Sequence, residues 1–329
     1  MATWDELLQE LQQTLTENGQ HPDFDRFRRS KMHAVSDITG RPLLVYATDF
    51  LDSEKVRACR GEVMIDIRDK VGFRELVRSV NADAVDVLLF SPGGIAEATE
   101  SIVEILRSAY GHVRFIVPMI AKSAATMLAL SGDEILMDEV SELGPTDPQL
   151  QMVRDGQTIR APAGAVLAQF EAAKSSLSKD ASLTPVWLPI LRQYGPSLLA
   201  ECQTAIDLSR TLVGKWLREY MFAADDDAEA KAEHIATYLA THENYMSHGR
   251  RVGLTELLAL GVKVLDLRTN PQLHDAVWDL QYAIDITFQG TSAFKIFEST
   301  GGAALIRLIR PLVSRGPSGQ GDGVERARE

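Results

Sequence analysis

The sequence predicts an α/β fold, in which strands alternate with helices around a parallel sheet and a helical region follows. Two apolar runs of strand length, Val85 to Phe90 and Val113 to Val117, each stop at a turn of proline or small residues. Between them, Ile95 to Tyr110 places Ile95, Ala98, Ile102, Ile105, Leu106 and Ala109 on one helical face. A strand, a helix and a second strand of these lengths imply parallel strands joined by a right-handed crossover. From Ala163 onward the pattern is mostly helical.

The chain has 329 residues, 45% hydrophobic and 24% charged, which is the balance of a folded globular protein. Its net charge of −12 argues against nucleic acid as a partner, because no basic stripe offsets the acidic balance. The two cysteines, Cys59 and Cys202, lack metal-ligand spacing and read as free thiols of a reducing compartment. The first residues have neither a basic region nor an apolar core, so no signal peptide is expected. No stretch reaches the roughly 18 apolar residues of a membrane span. The expected location is cytoplasmic.

Four regions are expected. Residues 1–40 hold an N-terminal helix over 4–17 and a polar, irregular linker. Thr3-Trp4-Asp5-Glu6 resembles a capping box loosely, and Leu7, Leu8, Leu11 and Leu15 form an apolar face. That face suits contacts between subunits or packing on the same domain. Residues 41–185 are the core, with Leu43 to Ala47 as its first strand, a surface helix over 65–80, and a short strand at Glu134 to Met137. A hairpin is expected around Asp155-Gly156. Residues 186–313 are expected to be helical, including 197–222, 226–243, 254–260, 272–284 and 291–299. Residues 314–329 are rich in glycine, serine and charge and are expected to be disordered.

The candidate chemistry lies in the two turns. Ser91-Pro92-Gly93-Gly94 follows the first strand, and Lys122-Ser123-Ala124-Ala125-Thr126 follows the second. A hydrolytic serine needs exposure at a helix start, a base, and backbone N–H groups aimed at the developing oxyanion. Ser123 meets the first need by position. Gly93 and Gly94 can meet the third, since glycine permits φ > 0 and close approach of a substrate carbonyl. The Ala124 N–H is the second donor. Taken alone, the glycines are a strand-to-helix turn and Ser123 is a helix cap. Side by side at the ends of adjacent strands, they form a nucleophile next to an oxyanion hole.

These segments resemble the ClpP and signal-peptide-peptidase branch of the crotonase-like fold, and most closely the serine dehydrogenase proteinase-like family. The resemblance rests on Ser-Pro-Gly-Gly and on Ala-Lys-Ser-Ala-Ala-Thr-Met-Leu-Ala-Leu-Ser-Gly-Asp, over about residues 85–180, and a His248-Gly249 turn is a further point of likeness. It implies a ClpP/crotonase-like ββα core with a helical C-terminal extension, Ser123 as nucleophile, and Gly93, Gly94 and Ala124 as the oxyanion hole. ClpP-type members carry their histidine in the loop that corresponds to residues 142–150. That loop here, Glu-Leu-Gly-Pro-Thr-Asp-Pro-Gln-Leu, has none. Signal-peptide-peptidase-like members use a lysine in a Lys-Ser context instead. Lys174, in Ala173-Lys174-Ser175, lies 51 residues after Ser123 and is the expected base, with Lys179 as fallback.

A helical face of Val166, Leu167, Phe170, Ala173 and Leu177 is expected to dock on the core and bury the Lys174 amine, lowering its pKa. Lys122 points away from its neighbour Ser123 and is a poor base. His112, His234 and His242 read as surface residues, whereas His248, in a turn beside Arg250 and Arg251, is the one histidine that invites inspection. Asp225-Asp226-Asp227 reads as the charged start of a helix, not a metal site. The expected activity is therefore serine hydrolysis of peptide bonds through a Ser-Lys dyad, with no cofactor and no metal. A peptide or protein substrate and a homo-oligomer are the expected partners. The alternatives are acyl-CoA chemistry on the same turn and a non-catalytic scaffold.

Overall fold

The structure is a computed structural model that describes residues 1–154 and 157–309, with residues 153, 154, 157 and 158 described by backbone alone. The expected turn at Asp155-Gly156 and the expected disordered tail lie outside the described residues. Two helices open the chain, α1 (Trp4–Gln13) and α2 (Phe24–Thr39). Strand β1 (Leu43–Thr48), helices α3 (Ser53–Ala58) and α4 (Asp69–Ser79), and strand β2 (Ala84–Phe90) follow. Helix α5 (Ala96–Ala109) crosses to β3 (His112–Val117), and the short β4 (Ile120–Ala121) leads into α6 (Ala124–Leu130). Next come β5 (Glu134–Met137), the short β6 (Glu142–Leu143), and a hairpin of β7 (Gln149–Arg154) and β8 (Gln157–Pro162). Helices α7 (Ala163–Lys179), α8 (Thr184–Leu191), α9 (Leu198–Trp216), α10 (Ala228–Ala240), α11 (His242–Tyr245) and α12 (Leu254–Ala259) form the helical region. Strand β9 (Val264–Asp266), helix α13 (Pro271–Gly290) and strands β10 (Ala293–Ser299) and β11 (Ala304–Leu308) complete the fold.

The main sheet has seven strands in the order β11-β10-β1-β2-β3-β5-β9. The run from β1 to β9 is parallel, and β10 and β11 add antiparallel at one edge. Both faces are covered, so the central strands are buried almost throughout, whereas the edge strands β9 and β11 are partly exposed. One face, with Leu44, Tyr46, Val87, Leu89 and Phe115, packs under α4, α5, α6, α9 and α10. The other, with Leu43, Val45, Leu88, Ile116 and Ile296, packs under α2 and α13. The α/β class read from the sequence is the class observed.

Several local expectations are corrected. Residues 24–39, expected to be irregular, form α2, capped by the Asp23 side chain and ended by Gly40 in the left-handed region at φ 67°. Thr3 and Glu6 form a full capping box, with the Thr3 backbone N–H donating to Glu6 Oε2 at 2.7 Å. The apolar face of α1 is filled within the chain: Leu7 and Leu11 are buried in a cluster with Ala283 and Ile286 of α13. Residues 293–299, expected to be helical, form β10. The stretch 186–313 thus supplies three strands to the main sheet besides its helices.

β10 carries two buried charges, one to each face. Lys295 donates to Asp69 at 2.8 Å and to the Met64 carbonyl at 2.9 Å, and Tyr46 donates to the same carboxylate at 2.8 Å. Glu298 is held between Arg28 at 2.5 Å and Arg29 at 2.7 Å. Burial pushes the Asp69 carboxyl up and the Lys295 ammonium down, against the attraction between them. Each charge would be uncompensated in this buried place without the other, so removing one partner is the costly change.

Asp285 on α13 has no such partner among the described residues. It accepts a hydrogen bond from Gln281 at 3.0 Å, but burial, helped by the nearby Asp49 charge, pushes its carboxyl from 3.8 up to about 7. The folded protein therefore holds this proton where the unfolded chain has lost it. The resulting stability is full below about pH 4 and is lost as the pH rises through about 7. Asp285→Asn keeps the acceptor and cannot ionise. It is expected to be more stable than the wild type at pH 8 by about 1–3 kcal/mol, with little difference at pH 4, in urea melts at both values. Equal gains at both would show that the carboxyl does not titrate this way.

Candidate functional site

The site begins where β2 ends. The Ser91 N–H donates to the Ile120 carbonyl at 3.0 Å, and the Lys122 N–H donates to the Ser91 carbonyl at 3.1 Å. Ser91 thus pairs with Ala121, and β4 pairs in turn with β6. This small ladder beyond the main sheet sets the two turns side by side. Gly93 takes φ +92°, and a Cβ there would collide with the Lys122 carbonyl and stand 2.9 Å from the Ser123 Cβ. The glycine turn lies directly on the serine turn.

Gly94 is glycine for another reason. The expectation was φ > 0 at both glycines, but only Gly93 has it. Ile65 pairs with Gly94: the Ile65 N–H donates to the Gly93 carbonyl at 2.8 Å, and the Ile95 N–H donates to the Ile65 carbonyl at 3.0 Å. A Cβ on Gly94 would collide with the Ile65 backbone. The Gly93 N–H is spent on the Ser91 hydroxyl at 3.2 Å. The N–H groups of Gly94 and Ala124 meet no acceptor among the described residues.

Ser123 sits at φ 53° and ψ −121°, outside the regions that side-chain-bearing residues favour. Such a residue costs on the order of 1–3 kcal/mol and is kept only where the surroundings force it. It precedes α6, yet its side chain makes no capping hydrogen bond, so the hydroxyl is not consumed by the helix. Its turn is tied down from outside. Lys122 pairs with Glu142 at 2.7 Å and donates to the carbonyls of Leu143 at 3.0 Å and Arg250 at 3.3 Å. Thr126 donates to the Ala121 carbonyl at 2.7 Å and accepts from the Gly144 N–H at 2.9 Å.

Ser123, Ala124 and Gly94 line one cavity of about 1000 Å³, together with Met127, Leu208 and His248. The His248 Nδ1 lies 2.6 Å from Asp147 Oδ1, and the His242 Nδ1 lies 2.9 Å from Asp147 Oδ2. Asp147 is only 1% exposed. A carboxylate only accepts, so each imidazole donates from Nδ1, and in its neutral form the lone pair is then on Nε2. His242, expected on a solvated face, is instead mostly buried against Asp147, whereas His234 is exposed.

Lys174 is not with them. Its side chain is 65% exposed and pairs with Glu171 at 3.2 Å, and it is absent from the cavity wall. α7 does dock, through Val166 and Ala173, which are seven residues apart and share a face. Lys174 follows Ala173 by one step of about 100°, which turns it off that face. The expected burial of its amine is corrected, and Lys179, at the end of α7, is exposed as well. The 142–150 loop has no histidine, but it contains Asp147, which no local pattern singles out. The signal available was the order serine, acid, histidine along the chain, with His248 already marked for inspection; such sets are recognised by geometry and occur in several orders. Among the described residues no group of histidine, cysteine and carboxylate side chains is placed to hold a metal ion, and the aspartates at 225 and 227 are paired with Lys231.

Ser123 thus sits on a strained strand-to-helix turn beside the glycine turn, with the N–H groups of Gly94 and Ala124 unspent among the described residues. Residues 63–161 match the family described as ClpP-like SDH-type serine proteinase, and over that segment the resemblance read from the sequence holds. Two uncharacterized proteins of Methanocaldococcus jannaschii are similar. MJ0137 is 29% identical over 50% of this chain and 58% of its own length, and MJ1495 is 26% identical over 61% and 59%. The matches thus span under two thirds of those relatives. Among solved structures, two variants of the 1510-N membrane-bound stomatin-specific protease align at a TM-score of 0.38. The serine-to-alanine form is 19% identical, covering 65% of this chain and 79% of that one. The lysine-to-alanine form with a substrate peptide is 21% identical, covering 64% and 74%.

The contact of Gly94 with Ile65 makes a sharp expectation. Gly94→Ala should cost more than about 2 kcal/mol of stability, because backbone must move to admit the methyl group. The loss is to be read from denaturant melts at neutral pH. A Gly94→Ala protein as stable as the wild type would show that Ile65 does not pair there.

Proposed function

We propose that this protein is a serine peptidase in which Ser123 is the nucleophile, His248 the base and Asp147 the group that orients it. The observation that carries this reading is that His248, held by a buried carboxylate, lines the same cavity as a serine whose hydroxyl makes no cap. As Ser123 Oγ attacks the scissile carbonyl carbon, His248 Nε2 takes the hydroxyl proton. The carbonyl oxygen becomes an oxyanion, for which the N–H groups of Gly94 and Ala124 are the donors. The imidazolium, steadied by Asp147, then gives its proton to the leaving amine as the C–N bond breaks. Water repeats the sequence on the acyl-serine ester, with His248 again as base. Each oxyanion donor of this kind contributes about 2.7–4 kcal/mol. A cavity of about 1000 Å³ is at the upper end for ligand sites, which suits a peptide better than a small molecule.

In this reading the base is His248 and not Lys174, whose exposed side chain pairs with Glu171 away from the cavity wall. The strained serine disfavours both the scaffold and the acyl-CoA alternatives, neither of which needs a nucleophile. Self-association remains part of the proposal, but on a different surface from that expected. α8 is apolar and buries none of its residues, leaving Val186 and Leu188 open to solvent. Light scattering that returns about the chain mass of 36.3 kDa at micromolar concentration would count against it.

A fluorophosphonate probe is expected to label the wild type and not Ser123→Ala. His248→Ala should slow labelling by at least about 10³-fold, whereas Lys174→Ala and Lys179→Ala should label at nearly the wild-type rate. Loss of labelling in Lys174→Ala with retention in His248→Ala would return the base to the lysine. A wild type that resists the probe and turns over enoyl-CoA would sink the peptidase reading.

A further inference from the structure

We infer that His242 is a positioning residue for this site, fixing the carboxylate of Asp147 so that its other oxygen faces His248. The inference rests on the proposed roles of Ser123, His248 and Asp147. Asp147 is 1% exposed, and its side chain has two partners among the described residues: His248 on Oδ1 and His242 on Oδ2. The two histidines are six residues apart on one short segment, α11 and the turn that follows it. Asp147 therefore clasps both ends of that segment. Tyr245, between them, is buried and packs edge-on against Tyr238, while Met246 turns the chain at φ 58°.

His242 is itself held firmly. A Cβ on Gly164 of α7 would stand 3.2 Å from the His242 Cβ, so α7 lies closely against it. Its side chain is 17% exposed, and it is not part of the cavity wall. It is therefore too deep to be a surface residue, and it does not touch substrate space. Without the His242 N–H, Oδ2 would be a buried charged oxygen with no donor, which is among the costlier defects in a protein interior. The carboxylate would turn to recover a partner, and turning withdraws Oδ1 from His248. The effect on catalysis passes through Asp147, so substrate affinity should hardly change.

Three forms of the full chain test this: wild type, His242→Leu and His242→Asn. The asparagine amide nitrogen occupies the place of Nδ1 and can donate to Oδ2. In His242→Leu, fluorophosphonate labelling of Ser123 and kcat on a peptide substrate should fall by about tenfold or more, far short of the roughly 10⁴-fold loss known for removal of a triad carboxylate. KM should stay within about twofold, as for an interaction felt only in the transition state. His242→Asn should recover most of the rate. The far-downfield proton resonance of the His248 N–H, assigned by its loss in His248→Ala, should shift in the leucine form and return in the asparagine form. A His242→Leu protein that keeps both the labelling rate and the resonance overturns this inference alone. So does an asparagine form no better than the leucine form. A wild type that is not labelled at Ser123 overturns the peptidase reading, and the role of His242 with it.

Discussion

Two backbone hydrogen bonds, from the Ser91 N–H to the Ile120 carbonyl and from the Lys122 N–H to the Ser91 carbonyl, hold the site in register. In a parallel sheet, neighbouring strands end at one edge, but nothing in the sheet itself makes the loops beyond that edge touch. Here the ladder continues past the sheet for one more pairing. The glycine turn is thereby laid on the serine turn so closely that no side chain fits between them. The position of Ser123 relative to the unspent N–H groups is therefore a property of backbone pairing. It does not depend on the rotamer of a flexible side chain.

Long-range polar pairs then brace this junction. Lys122 ties the serine turn to β6 and to the Arg250 carbonyl, close to His248 in sequence. On the other side, Lys295 of β10 donates to the Met64 carbonyl, one residue before the Ile65 that pairs with Gly94. The buried Lys295–Asp69 pair thus sits beneath the segment that supports the glycine turn. A buried pair of this kind is weak evidence for stability, and its worth lies in fixing one arrangement of the chain. The same holds for Asp147, which joins the loop after β6 to a segment about a hundred residues further on.

The parts legible in the sequence were those whose pattern is local. Apolar runs ending in small-residue turns marked β2 and β3, helical spacing marked α5, and the ends of those runs marked the two turns as neighbours. Two of the parts that were missed, β10 and α2, have buried charges in them. β10 was hidden because Lys295 and Glu298 interrupt its apolar run, and both are buried only because Asp69, Arg28 and Arg29 meet them. Helix α2 was hidden for the same reason, since Arg28 counts as a surface residue until Glu298 is seen beside it. Lys174 satisfied a spacing, but one helical step decides whether a side chain faces the core or the solvent, and spacing alone does not resolve that step. The Asp147–His248 pair joins distant positions, and no local pattern announces it.

A serine held at φ 53° and ψ −121° works against its own backbone. Glycine would take that conformation without strain, and the fold around it would lose nothing but a hydroxyl. If Ser123 is the nucleophile proposed above, position 123 is a place where stability and chemistry favour different residues. A lineage released from the need for the hydroxyl gains stability by discarding it, while the rest of the architecture survives intact. In a set of descendants, the identity of this one residue would separate chains that still work from chains that merely fold.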